Sequence, residues 1–208
     1  MIKQHRQAGA SLLIALVMLV VVMLLGVTAA RMSLTNEKSS RSDRDRQIAF
    51  EAAEAALHDA ELDVSGPRGQ IDAFPELAGS CHERGAFAGL CRTGDTPLWT
   101  MSDALASAPW VEYGRYSGQQ FPYGAASLAS HPPRYLVELI PLEKARNAMV
   151  APQGLRVTTV GFGMHESTRV VLQSIYAIDT DPERTNKQPV RLSWREISNW
   201  QEISRTTP

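Results

Sequence analysis

A chain of 208 residues, 44% of them hydrophobic and 21% charged, is long enough to bury a core and too apolar to remain disordered. With 21 basic against 22 acidic residues and an isoelectric point near 6.5, it carries no electrostatic footprint for nucleic acid. The balance is uneven along the chain: residues 1–36 hold Lys3, Arg6 and Arg31 and no acid, which leaves 18 basic against 22 acidic residues for the remainder.

Between Arg6 and Arg31 lie 24 uncharged residues, and 11–26 is apolar on every helical face. At 1.5 Å per residue such a helix reaches roughly 36 Å, more than the ~30 Å of a hydrocarbon core. A soluble core helix would carry a polar stripe, and this segment has none. Lys3, His5 and Arg6 precede it and acids follow only after it, so the positive-inside bias puts the N-terminus in the cytoplasm. Residues beyond about 31 are then expected outside, in a bacterial periplasm. A cleaved secretory signal would find a small-residue site at Thr28-Ala29-Ala30, but the apolar run before it is too long. A permanent signal anchor explains the length and leaves Gln7-Ala8-Gly9-Ala10 without a role.

A short basic leader ending in Gly9, then a small residue and an unbroken apolar helix, resembles the class III signal of type IV pilins. The resemblance implies that residues 1–9 are a leader removed by a prepilin peptidase, with the cut between Gly9 and Ala10 and methylation of the new Ala10 amine. Where the family pattern has a Glu at the fifth mature residue, this chain has Ile14. In the family, that Glu pairs with the amine of the subunit above it, and an unpaired charge in a low-dielectric helix bundle is costly. A subunit with nothing above it has no amine to satisfy. Ile14 therefore reads as the position that assigns the chain to the tip of a fibre or close to it.

Residues 10–30 are expected as the membrane-spanning half of one helix and 31–63 as its amphipathic half. Ala49, Ala53, Ala56 and Ala60 recur at i, i+4, i+7 and i+11, with Phe50 and Leu57 one step round, forming an apolar stripe. Glu37 with Arg41, and Arg41 with Asp45, are opposite charges four residues apart. Ser65-Gly66-Pro67 ends the helix. Continuous from Ala10 to Asp63, it would be roughly 80 Å long, more than a compact domain of this size needs. The run Asp45-Arg46-Gln47-Ile48-Ala49-Phe50-Glu51-Ala52-Ala53-Glu54-Ala55-Ala56-Leu57-His58-Asp59-Ala60-Glu61 resembles the helix of PilX-type minor pilins of Gram-negative type IV pili.

Residues 64–208 are expected as a periplasmic α+β head. Cys81 and Cys91 are the only cysteines, in a glycine-rich stretch. Outside the membrane an isolated pair forms a disulfide, contributing roughly 2–3 kcal/mol by restricting the unfolded chain. The spacing suits neither a redox Cys-x-x-Cys nor a zinc site. Five prolines within 97–133 exclude long helices there, and the aromatics among them (Trp99, Trp110, Tyr113, Tyr116, Phe121, Tyr123) fit either a cap on the core or a surface for a partner subunit or glycan. Strand signals follow. Residues 134–141 alternate, with Tyr135, Val137 and Leu139 on one side; 155–163 and 168–178 flank a turn at Met164-His165-Glu166-Ser167; and 190–197 is a shorter fourth candidate with Leu192 and Trp194 in alternation. The expected fold is pilin-like: a long N-terminal helix packed on a C-terminal antiparallel sheet of about four strands, within 134–197.

No constellation has a catalytic pattern, so no enzyme activity and no cofactor are expected. His82-Glu83 lacks a second His four residues on, Gly161-Phe162-Gly163 leads into a turn and strand rather than a helix, and the five histidines are scattered. Asp179, Asp181, Glu183 and Asn186 could gather oxygens around Ca²⁺, but they lack the EF-hand glycine and terminal Glu, and Pro182 suits a plain acidic turn. The resemblance implies a minor pilin held first in the inner membrane by a single pass, then in the pilus at the cell surface. Its partners would be other minor pilins, a tip adhesin-type protein and the major pilin. The group would prime pilus assembly and support twitching motility and adhesion. A tip pseudopilin of a type II secretion system also lacks the Glu, though its inserted head is usually much larger; a signal-anchored periplasmic binding module is the reading from another class.

Overall fold

The computed structural model describes residues 10–100, 109–124, 128–142, 152–178 and 189–200. The chain divides between Arg44 and Asp45 into two units. Helix α1 spans Ala10–Val64, one residue beyond the expected end, and contributes to both.

In the first unit the helix is apolar and uncovered: one window is long and apolar enough to cross a membrane, and none of it is buried within the chain. Its two threonines turn their hydroxyls inward, Thr28 Oγ1 donating to the Leu24 carbonyl at 2.8 Å and Thr35 Oγ1 to that of Arg31 at 3.0 Å. These polar groups are thereby satisfied inside the helix and need no water. Glu37 and Arg41 pair at 2.5 Å as their spacing predicts. The expected Arg41–Asp45 pair does not form, because Asp45 is committed to the head.

The second unit is a six-stranded sheet with the last turns of α1 on one face. Its strands are β1 (Leu90–Arg92), β2 (Val111–Glu112), β3 (Arg134–Pro141), β4 (Gln153–Phe162), β5 (Arg169–Ala177) and β6 (Val190–Glu196). Strands β3 to β6 form an antiparallel meander, with Val137 opposite Val157 and Leu155 opposite Tyr176. The other edge of β3 takes two short strands, β1 in parallel and β2 antiparallel. These two were not expected. With three and two residues they are too short for alternation to show, and Gly and Pro mask their surroundings.

Tyr135, Val137 and Leu139 share the helix side of the sheet as expected. They form a core with Leu155, Val157 and Tyr176 from the sheet, Leu57, Ala60 and Val64 from α1, and Leu90. Ala49 and Ala53 meet Val170 and Leu172. A second cluster covers the opposite face: Val160, Phe162 and Val171 under Trp99, Ile197 and Trp200, with Trp110 packed against them. The sheet is thus buried on both sides along β3 to β5, so the polar side chains that these strands carry on the face away from the helix must find partners there.

Candidate assembly surfaces

The alanine stripe brings the helix backbone itself to the sheet. Gly161 on β4 lies where an added Cβ would stand 2.0 Å from the Ala49 carbonyl oxygen and 2.4 Å from the Ala53 amide, so only glycine fits. Thr159 Oγ1 reaches the Ala53 carbonyl at 3.1 Å. The glycines of 161–163, set aside as a phosphate loop, are spacing residues: a Cβ at Gly163 would fall 2.3 Å from Asp45 Oδ1.

Acids on α1 grip the sheet at separate points. Asp45, 5% exposed, accepts from the amides of Met164 and His165 at 2.5 and 3.3 Å and from Thr168 Oγ1 at 2.5 Å, fastening the β4–β5 turn. Asp59 receives the Gly114 amide at 2.8 Å and the Ser117 hydroxyl. Asp63 receives Arg68 Nε at 2.7 Å and the Tyr135 hydroxyl at 2.9 Å. Burial pushes the Asp63 carboxyl above its ordinary value, with Arg68 and Tyr135 pulling the other way. For Glu61 burial also acts upward, but hydrogen bonds from Tyr176 (2.5 Å) and Arg191 and the Arg191 charge outweigh it, leaving that carboxyl below its ordinary value. The Tyr176 hydroxyl is raised by burial and by that same bond.

The signal for these acids was present. Asp45, Asp59 and Asp63 are in phase with the alanine stripe, and an acid in phase with a buried face must find donors. Arg68 gave no such signal. It lies just past the helix, stacks on Tyr116 with the guanidinium carbon 3.5 Å from the ring centre, and donates to the carbonyls of Ala86 and, at 2.9 Å, Ala88.

Strand β6 hangs on α1 through Arg46–Glu196 (2.6 Å), Trp194 Nε1 to Glu54 (3.0 Å) and the Arg191–Glu61 pair, and Phe50 meets Trp194 edge to face. On the opposite face of the sheet runs a polar row: Arg156 Nε to Glu138 at 2.9 Å, Gln173 Nε2 to Thr158 at 3.0 Å and Arg195 to Gln173 at 2.6 Å. A register shift at Ile175/Tyr176 leaves Leu192 without a cross-strand partner, so it does not simply alternate with Trp194.

Cys81 and Cys91 are bonded, and the segment around Cys81 lies along β1: Gly79 N donates to the Arg92 carbonyl, Arg92 N to Ser80 and His82 N to Leu90, at 2.9–3.0 Å. Within 97–133, Trp99 is buried and Tyr116 donates to backbone carbonyls, so these two cap the fold. Tyr123 is exposed beside the Tyr113–Phe121 pair. Among the histidines, His58 sits 3.7 Å from Glu61, His82 and His131 lie against Phe87 and Phe162, and His165 offers its amide to Asp45. Ile14 is exposed in the apolar unit and Ala10 opens α1. Gly9, His5 and the acidic group at Asp179, Asp181, Glu183 and Asn186 lie outside the described residues.

A long apolar N-terminal helix whose far end packs on a mostly antiparallel sheet is the α+β layout of a pilin. Two family models match the sequence: PilX N-terminal over residues 8–58, and Type IV pilus assembly protein PilX C-term over residues 87–178. The chain belongs to the PilX family of type IV pilus assembly proteins, and its role is in the assembly of that fibre together with other pilus components. No curated protein and no solved structure matches it.

Proposed function

We propose that the chain is a minor pilin that acts at or near the pilus tip, in a subcomplex that primes assembly and supports twitching motility and adhesion. It would begin as a single-pass inner-membrane precursor with the head in the periplasm. A prepilin peptidase would cut it between Gly9 and Ala10 and methylate Ala10. The apolar helix would then leave lipid to pack among the helices of other minor pilins and the major pilin, with a tip adhesin-type protein beyond. The observation that carries this reading is Ile14: an exposed aliphatic side chain where the family places a carboxylate, so the helix brings no charge needing an amine above it.

Two measurements test it. Intact mass of the membrane-extracted protein should correspond to a chain starting at N-methylated Ala10; retention of residues 1–9 would mean a tethered protein instead. Immunogold labelling should mark fibre ends. Ile14→Glu should reduce incorporation, and even labelling along the shaft with an unimpaired Ile14→Glu variant would overturn the tip assignment.

A further inference from the structure

The two outer edges of the sheet are treated differently. At the β1 edge, residues 79–82 lie alongside the strand and the Cys81–Cys91 bond pins them there. At the β6 edge no described residue pairs with the strand.

The direction of its free groups follows from the ladder. Ile197 N donates to the Val171 carbonyl at 2.9 Å, and Arg195 lies opposite Gln173, so by antiparallel alternation the amides and carbonyls of Trp194 and Glu196 point away from β5. Exposed sheet edges are ordinarily protected by charges or bulges. Here the register shift sits near the start of the strand, and two of its charges are neutralised, Arg191 by Glu61 and Glu196 by Arg46, while Arg195 bonds only the neutral amide of Gln173. What remains on the strand is apolar, with Val190 60%, Leu192 56% and Trp194 42% exposed. Arg195 has no carboxylate partner among the described residues.

We propose that the outer edge of β6 receives an extended segment of another pilus subunit, added antiparallel to the sheet, with apolar side chains beside Leu192 and Trp194 and a carboxylate opposite Arg195. Main-chain bonds to Trp194 and Glu196 supply affinity and the Arg195 charge supplies register. A second copy of this chain offers Arg195 no carboxylate, since pairing two β6 strands about Arg195 sets like charges opposite each other and pairing them about Trp194 sets Arg195 opposite Ser193. That the partner is a pilus subunit rests on the assembly role; that the edge takes a strand rests on the geometry alone.

The test uses the full chain in cells that make the pilus, with a photoreactive phenylalanine at Ser193 and, as control, at Leu77, which is exposed elsewhere on the head. Crosslinks from 193 should exceed those from 77 at least tenfold and map to one extended segment of a different subunit that contains an acid. Arg195→Glu and, separately, Leu192→Asp should each reduce them fivefold or more while the disulfide still forms. Exchanging the partner's acid for Lys should restore crosslinking to Arg195→Glu. No excess at 193 over 77, crosslinks to a helix, or crosslinks between two copies of this chain would each overturn the inference. Recovery of the chain in sheared fibres is scored separately: a chain found there without the crosslink sinks the edge and leaves the pilus role standing, and a crosslinked chain that never leaves the membrane does the reverse.

Discussion

Gly161→Ala isolates the helix–sheet spacing in a single methyl group. The new Cβ would stand 2.0 Å from the Ala49 oxygen and 2.4 Å from the Ala53 nitrogen, where ordinary contact begins at 3.4 Å, so β4 and α1 must part by about 1.4 Å locally. Both neighbours are helix backbone, and no rotamer change relieves the clash. Overpacking of this kind costs about 1–3 kcal/mol. The 3.1 Å bond from Thr159 to the Ala53 carbonyl would be stretched as well, adding about 1 kcal/mol. A total of about 3 kcal/mol lowers the melting temperature of a head this size by roughly 6–12 °C. The assay is thermal unfolding of the detergent-solubilised full chain followed by near-ultraviolet circular dichroism. Gly26→Ala serves as control, since nothing lies within 4 Å of a Cβ there. A Gly161→Ala protein melting within 2 °C of its parent would refute the claim that glycine sets this spacing.

Asp45→Ala strands two amides and a hydroxyl at the β4–β5 turn; we expect a loss of about 2–3 kcal/mol and faster amide exchange at Met164 and His165. Glu61 and Asp63 should act oppositely with pH. The lowered Glu61 carboxyl contributes stability above its ordinary 4.5 that is lost as pH falls through the folded-state value, whereas the raised Asp63 carboxyl contributes below its ordinary 3.8 and loses that contribution as pH rises. Denaturant midpoints should therefore show wild type ahead of Glu61→Gln at pH 6, with the gap closing by pH 3. Replacing both Cys81 and Cys91 by Ser should cost about 2–3 kcal/mol, and dithiothreitol should reproduce that loss in the parent but leave the double variant unchanged.

Legibility in the sequence followed the length of the repeating signal. The apolar run, the alanine stripe and the alternation of Tyr135, Val137 and Leu139 each repeat over several residues, and each formed the expected element. The turn between β4 and β5 fell where Met164 to Ser167 announced it. What stayed hidden depends on partners distant in the chain. Asp45 looked like the partner of Arg41 four residues away, yet its donors are about 120 residues on, and three donors converging on a buried carboxylate outweigh a solvated ion pair. Arg68, Glu138 and Arg156 carry surface chemistry in a sequence and become interior only once strands and loops close over them. Trp99 and Trp110 sit among prolines with no period to reveal a side; the second apolar face that they cover exists only when β4 and β5 lie together.

The bond between Cys81 and Cys91 places a compartment requirement inside the architecture. With the thiols reduced, the 79–82 segment is held to β1 by backbone hydrogen bonds alone, and its departure would expose β1 as a ragged margin on which stray chains nucleate. Oxidation of the two thiols seals that margin covalently. A subunit whose thiols are still reduced is therefore one whose lattice of strands is unfinished, and the moment of oxidation doubles as the moment at which the globule becomes safe to store.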